Sequence, residues 1–270
     1  MKLKRLISII FIIVIAVVTG SDVYANESID INNDECVIEE EVQVSEKDTA
    51  YETQGVVSVE DEGSVAEGGN SIDKRFSITY KYGMKWGNKK VTTYFKVVKV
   101  SGKIPSGKIN LYLYNKKTGD LLYTKQAEKE NIKVTSTTNV SVSKDVTATR
   151  FWKMKLKGSV GTADINGTKK SGLLNRKANK YPTEKEVYTK RVPDVPPTNL
   201  KKDKNERDGY FRNAYIKWFE KKYPKANVTW SNYEIHHVRP LEYGGSNDVS
   251  NGIALTREQH KKYSTWWASY

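Results

Sequence analysis

Charge is divided so unevenly along this chain that its two parts cannot share one folding strategy. Residues 26–74 hold 15 Asp or Glu against 2 Lys, a net −13, whereas residues 75–270 hold 40 Lys or Arg against 16 Asp or Glu, a net +24. The acidic stretch has few large apolar side chains and includes Gly63, Gly68 and Gly69. Such a segment cannot bury enough apolar surface to offset the entropy of ordering it, so residues 26–74 are expected to be disordered. A tethered polyanion would compete for the basic surface only at close range, since screening at physiological salt acts over about 8 Å. The basic remainder suits sequence-independent attraction to phosphates, although a basic excess alone is usually a solvated surface.

The first 25 residues have the layout of an export signal. Lys2, Lys4 and Arg5 precede an apolar run from Leu6 to Val18, and Val23-Tyr24-Ala25 is a small-x-Ala cleavage site. The apolar run is short for a stable span, so the expected product is secreted and extracellular, with no stable membrane insertion after cleavage. Cys36 is the only cysteine and cannot form an internal disulfide. Stability must then come from an apolar core or from a metal.

Residues 75–170 read as β throughout. Phe76–Tyr82, Val91–Val100, Ile109–Tyr114, Leu121–Thr124, Thr138–Val142 and Phe151–Val160 are strand-like. Ile109, Leu111 and Leu113 alternate with polar or aromatic partners, and Trp152, Met154 and Leu156 alternate with lysines. Turn signals at Ser106-Gly107, Thr118-Gly119 and Asn166-Gly167 separate the runs. This spacing predicts an antiparallel β-sandwich-like accessory domain. No residue in it points to chemistry. Residues 171–204, polar and basic with Pro182, Pro193, Pro196 and Pro197, read as a linker. A small α+β domain is expected over 205–270, making the chain multidomain.

All three histidines of the chain lie in the 25 residues from His236 to His260. Two adjacent histidines are by themselves ordinary strand residues, one facing in and one facing out. Here the pair is followed by Pro240, Gly244-Gly245, Asn251 and a third histidine on a helical run, a combination that chance does not readily assemble. Tyr210, Phe211, Ala214, Tyr215, Trp218 and Phe219 place one apolar face on a helix that Pro224 ends. Val228–Trp230 and Tyr233–His237 read as strand, Gly244–Asp248 as loop, Ile253–Leu255 as a returning strand and Arg257–Trp267 as a second helix. Trp266 and Trp267 are expected to close a small core.

The set Glu234, His236, His237, Pro240, Gly244, Gly245, Asn251, Leu255 and His260 resembles the motif of the HNH, or ββα-metal, nucleases. The likeness is closest to the C-terminal nuclease domains of bacterial polymorphic toxins and more distant to colicin-type DNases. It extends over roughly residues 205–270, from the helical run Tyr210–Tyr223 to Thr265-Trp266-Trp267. The resemblance implies that His236 and His260 hold one divalent metal ion and that His237 is the general base. It implies that Asn251 orients the His237 ring. Glu234, two residues before His236 and on the same strand face, would bind the metal, or hold a ligand or a phosphate-binding Arg. Arg239 is a candidate phosphate contact, with a plain surface charge as the other reading.

The chain departs from that family in two places. Many members carry Cys-x-x-Cys pairs for a structural zinc, and residues 205–270 contain no cysteine. Colicin-type sites add a histidine four residues after the last one, where this chain has Ser264. Two imidazole ligands suit Zn²⁺, Ni²⁺ or Mn²⁺, and Mg²⁺ is accommodated if phosphate and water complete its shell. The implied function is a secreted, metal-dependent endonuclease cutting DNA, or RNA, with little sequence preference. It would serve either as an antibacterial toxin with an immunity protein or as a scavenging nuclease. The alternative is a cell-surface or cell-wall binding protein in which the β domain acts and the HNH segment is inactive.

Overall fold

Alternation of apolar and polar side chains organises the first half of the structure. The computed structural model describes residues 36–44, 50–59 and 76–270, all within one compact unit, Glu35–Tyr270. The expected export signal lies outside the described residues. Strands β1 (Cys36–Val44), β2 (Ala50–Val59), β3 (Phe76–Gly87), β4 (Lys90–Ser101) and β7 (Asn139–Asp145) form one sheet in the order β1-β2-β3-β4-β7. Strands β5 (Gly107–Lys116), β6 (Thr124–Lys133), β8 (Arg150–Val160) and β10 (Gly167–Leu174) form a second sheet in the order β10-β8-β5-β6, and the short β9 (Ala163–Asp164) pairs with β8. Every pairing between these strands is antiparallel.

The two sheets bury a common core. Ile78, Tyr80, Met84, Val91 and Phe95 from the first sheet meet Ile109, Leu111, Leu113, Trp152, Met154 and Leu156 from the second. At about 25 cal/mol per Å² of apolar area removed from water, this shared core is the main stabilising contribution of the β region. The sheets approach closely where β10 begins. A Cβ on Gly167 would lie 2.3 Å from the Tyr82 ring, so no larger residue fits there.

Three expectations for this region are corrected. Leu121–Thr124 is not a strand. Its two leucines stand in a turn, 94% and 81% exposed, and β6 starts only at Thr124. The sequence of β6, TKQAEKENIK, lacks apolar alternation because an edge strand needs little burial and is protected by charge. Residues 26–74 are not disordered throughout, since β1 and β2 fall within them. Pairing of Ala50–Val59 onto the edge of β3 supplies backbone hydrogen bonds that composition alone does not reveal.

The expected linker at 171–204 is the third correction. It begins with the last residues of β10 and then runs as a packed strap. Tyr181 is buried edge-on against Tyr263 and Trp266, at centroid distances of 5.5 and 4.8 Å. The Asn175 side-chain amide donates to the Trp266 carbonyl (2.8 Å), and the Trp266 indole N–H donates to the Asn179 carbonyl (2.9 Å). The Tyr263 hydroxyl donates to the Glu184 carbonyl (3.0 Å). Leu173 and Phe151 of the second sheet join the same cluster. Proline and lysine content suggested an open tether, but buried aromatics and backbone carbonyls give this segment specific partners.

The C-terminal elements are α1 (Phe211–Lys222), β11 (Tyr233–His237), β12 (Gly252–Thr256) and α2 (Arg257–Trp267). Val228–Trp230, expected as strand, is not one; Trp230–Asn232 is a single 3₁₀ turn leading into β11. The antiparallel pairing of β11 with β12 sets His237 opposite Gly252 and His236 opposite Ile253. Helix α1 buries Phe211, Tyr215 and Phe219, and α2 buries Tyr263, Trp266 and Trp267. The start of α2 is held by a capping box, with Thr256 accepting from the Gln259 N–H and the Gln259 side chain accepting from the Thr256 N–H.

Candidate active site

Strand alternation separates the two adjacent histidines. In β11, successive side chains point to opposite faces, and here each face is covered by a different helix. His236 turns towards α2, where its ring lies 4.9 Å from that of His260 and 5.5 Å from that of Tyr263. His237 turns towards α1 and stacks on Phe211 at 3.9 Å, with the rings 16° from parallel. Both are buried, at 7% and 8% exposure.

The His236 side is a polar group enclosed in an apolar setting. Burial, and then the nearby His260 and His237, push its pKa down to about 3. The ring is therefore neutral at physiological pH, with a lone pair available. Its Nε2 is buried without a hydrogen-bond partner. A buried polar atom left unpaired is costly, and an external partner would remove that cost. Across from it, His260 Nδ1 donates to the Glu234 carboxylate at 2.7 Å. That contact places the His260 lone pair on Nε2, the arrangement by which a carboxylate orients a metal-binding imidazole. Glu234 is thus engaged with the His260 ring. Among the described residues no three His, Cys, Asp or Glu side chains converge as a ligand set. The orphaned His236 nitrogen and the oriented His260 ring nevertheless fit a divalent cation that takes its remaining ligands from water and phosphate.

On the other face, His237 has a polar partner. Its Nε2 lies 3.2 Å from Asn247 Oδ1. The Asn247 amide nitrogen is committed to the Glu206 carbonyl at 2.8 Å, so Oδ1 must face the ring and accept. Nε2 then carries the hydrogen, and the Nδ1 lone pair is the proton-accepting position. Burial lowers the pKa of His237, Asn247 opposes this, and the positive charge of Arg207 adds to the lowering. The ring is therefore neutral at pH 7.

Asn251 does not orient His237, contrary to expectation. Its side chain instead bridges the two ends of the loop after β11. Oδ1 accepts from the Arg239 N–H (2.9 Å), and Nδ2 donates to the carbonyls of Arg239 (3.0 Å) and Ser246 (2.8 Å). The loop is tight enough to dictate its glycines. Gly244 has φ +73°, and a Cβ on Gly245 would sit 1.8 Å from the Arg239 carbonyl oxygen. The loop thereby presents Asn247 to His237. Arg239 is exposed, with Nε donating to the Tyr243 carbonyl at 2.6 Å.

No protein-family model, curated protein or solved structure matches this chain. The site therefore rests on its own geometry. Sequence reasoning missed Asn247, Arg207 and Phe211 as neighbours of His237. Asn247 sits in the Gly-Gly-Ser-Asn loop, and only its position after the two obligatory glycines hinted at a role. Glu186, from the strap, was missed as well. Its buried carboxyl accepts from the Tyr215 hydroxyl, the Thr189 hydroxyl and the Ala254 N–H (3.3 Å), tying α1 to β12 beneath the histidines.

Proposed function

We propose that this chain is a secreted, metal-dependent endonuclease of HNH type that hydrolyses phosphodiester bonds of DNA with little sequence preference. The observation that carries the reading is the division of labour across β11. One face offers a neutral His236 with an unpaired Nε2 beside a carboxylate-oriented His260. The other offers His237 with its tautomer set. Phosphodiester hydrolysis requires a proton acceptor, charge neutralisation and positioning, and these residues provide for each.

In this mechanism His237 Nδ1 takes a proton from the attacking water, Asn247 keeps the opposite nitrogen protonated, and Phe211 holds the ring plane. His236 and His260 would hold the divalent ion, which when bound neutralises charge on the phosphate and on the leaving oxygen. Glu234 keeps His260 in the ligating tautomer. Arg239 and Arg207 attract the phosphate. RNA is the competing substrate, and use as an antibacterial toxin with an immunity protein extends the same reading.

The test is cleavage of plasmid DNA by the mature protein with and without chelator, alongside His237→Ala. The variant is expected to lose about 10²–10⁴ in rate while keeping its metal affinity. Equal cleavage in excess chelator would overturn the mechanism, and loss of metal binding in His237→Ala would show that the roles of the two histidines are exchanged.

A further inference from the structure

The hairpin joining β5 to β6 displays apolar side chains to solvent from a fixed turn. Leu121 and Leu122 are 94% and 81% exposed, so the turn forgoes nearly all the burial that two leucines offer. Single exposed apolar residues are ordinary on a surface, but two adjacent ones on a pinned turn call for a partner. The Lys117 N–H donates to the Asp120 carboxylate at 2.9 Å, and Lys116 Nζ donates to the Asp120 carbonyl at 3.2 Å. The strap grips the same tip. The Thr118 N–H donates to the Thr198 hydroxyl oxygen at 2.9 Å, and the Thr118 hydroxyl donates to the Pro196 carbonyl at 3.5 Å. Val195, next to Pro196, is half exposed and adds a third apolar side chain to this end of the protein.

A basic cavity of about 330 Å³ opens at the base of this hairpin. Asp120 and Thr124, which bracket residues 121–123, are in its wall, so the leucines stand at its rim. Lys116, Lys117, Lys144 and Arg150 also line it, against the carboxylates of Asp120 and Asp145. The Asp120 carboxylate is already engaged by the Lys117 N–H. Arg150 donates once to the Thr149 carbonyl at 2.7 Å, and Lys116 once to Asp120, and both keep further N–H donors. Trp152 lines the cavity as well; it is 2% exposed, and its indole N–H has no acceptor among the described residues. A buried donor left unpaired is costly. Cations and an orphaned N–H together suit a small anion rich in acceptor oxygens, and a phosphate headgroup is one. The cavity lies at the small end of the roughly 300–1,000 Å³ range of ligand sites, which also suits a headgroup. Tyr123 follows the leucines, partly buried, with Lys116 Nζ 5.2 Å from its ring centroid. An amphipathic ring of this kind is favoured where an apolar layer meets water.

We propose that the Leu121-Leu122 turn and the basic cavity at its base form a docking surface for anionic phospholipid membranes. The headgroup phosphate enters the cavity and the leucines enter the acyl boundary. Binding at such an interface grows with the apolar area inserted and with attraction to anionic lipid. A nucleic acid would use the cations but leave the leucines in water, which favours the lipid. Attachment of this kind needs no catalysis, so the surface stands or falls apart from the nuclease reading.

The mature protein is sedimented with vesicles of phosphatidylcholine alone and of phosphatidylcholine mixed equally with phosphatidylglycerol. The wild type should bind the mixed vesicles and not the neutral ones. Leu121→Ser/Leu122→Ser should weaken binding to mixed vesicles at least about tenfold, from the apolar area no longer inserted. A lysine near an anionic surface contributes about fivefold, so Lys117→Gln/Lys144→Gln should weaken it about 25-fold. The control Lys96→Gln/Lys99→Gln removes two exposed lysines of β4 and equalises net charge; its loss should stay below about fivefold. Thermal melting confirms that each variant is folded. A wild type that ignores the mixed vesicles, a leucine variant that binds them normally, or equal losses in the two lysine variants would overturn the proposal. So would tight binding of free glycerol phosphate by wild type and leucine variant alike without vesicle attachment, which would make the cavity a small-anion site. A Lys117→Gln/Lys144→Gln variant that sediments normally but loses affinity for a DNA duplex, read by fluorescence anisotropy, would assign these cations to nucleic acid and overturn the proposal equally.

Discussion

Replacing Glu186 by alanine should unfold the region under the histidines, because that carboxyl hydrogen-bonds from the strap to both α1 and β12. Glu186 is 3% exposed, and Tyr215 and Ala254 are fully buried. Alanine leaves the Tyr215 hydroxyl and the Ala254 N–H without their acceptor, and each buried unsatisfied donor costs about 1–3 kcal/mol. The loss is therefore about 2–6 kcal/mol, a large part of the roughly 5–15 kcal/mol that a typical domain possesses. Glutamine keeps one oxygen for both donors, and its amide can donate to the Thr189 hydroxyl, so Glu186→Gln should cost about 1 kcal/mol. Urea unfolding followed by tryptophan fluorescence reads the difference. With a slope of about 2 kcal/mol per molar, the alanine midpoint should fall by about 1–3 M and the glutamine midpoint by about 0.5 M. DNA cleavage should fall with it, because Tyr215 packs against Gly252, the residue opposite His237. An alanine variant with a wild-type midpoint would refute the argument that this contact anchors the site.

Further outcomes follow from the same geometry. A fragment of residues 200–270 should fail to fold, because it lacks Tyr181, Glu186 and the carbonyls that hold Trp266 and Tyr263; circular dichroism showing a cooperative native melt would contradict this. In chelator, stability should decline as pH falls from about 6.5 towards 3. His236 has a depressed folded pKa, so the unfolded state binds its proton first, and at most about 5 kcal/mol is lost across that window. His236→Asn should remove that dependence, and a wild-type curve flat over the same range would show that the ring is not held neutral. Gly245→Ala should displace the loop carrying Asn247 and reduce cleavage at least tenfold with a smaller effect on metal affinity, as measured by titration calorimetry.

Much of this protein could be read from local pattern. Strand-like runs located five of the ten strands of the two large sheets, because one buried face of a strand imposes a period of two wherever the strand sits. The same rule placed His236 and His237 on opposite faces before any partner was known. The helix Arg257–Trp267 emerged at its observed bounds, since a capping box marks its start and its aromatic face is periodic. What the pattern could not reveal depends on contacts between residues far apart in sequence. Edge strands β6 and β10 are too polar to show a period, and β1 and β2 gain their order from a neighbouring strand edge. The strap at 171–204 looked like a tether because its apolar residues are few, yet Tyr181 finds buried partners 82 and 85 residues away and Glu186 finds them 29 and 68 residues away. The orienting role passed from Asn251 to Asn247 for a similar reason. Which of two asparagines reaches an imidazole is decided by how a glycine-rich loop folds back, and no spacing rule contains that distance.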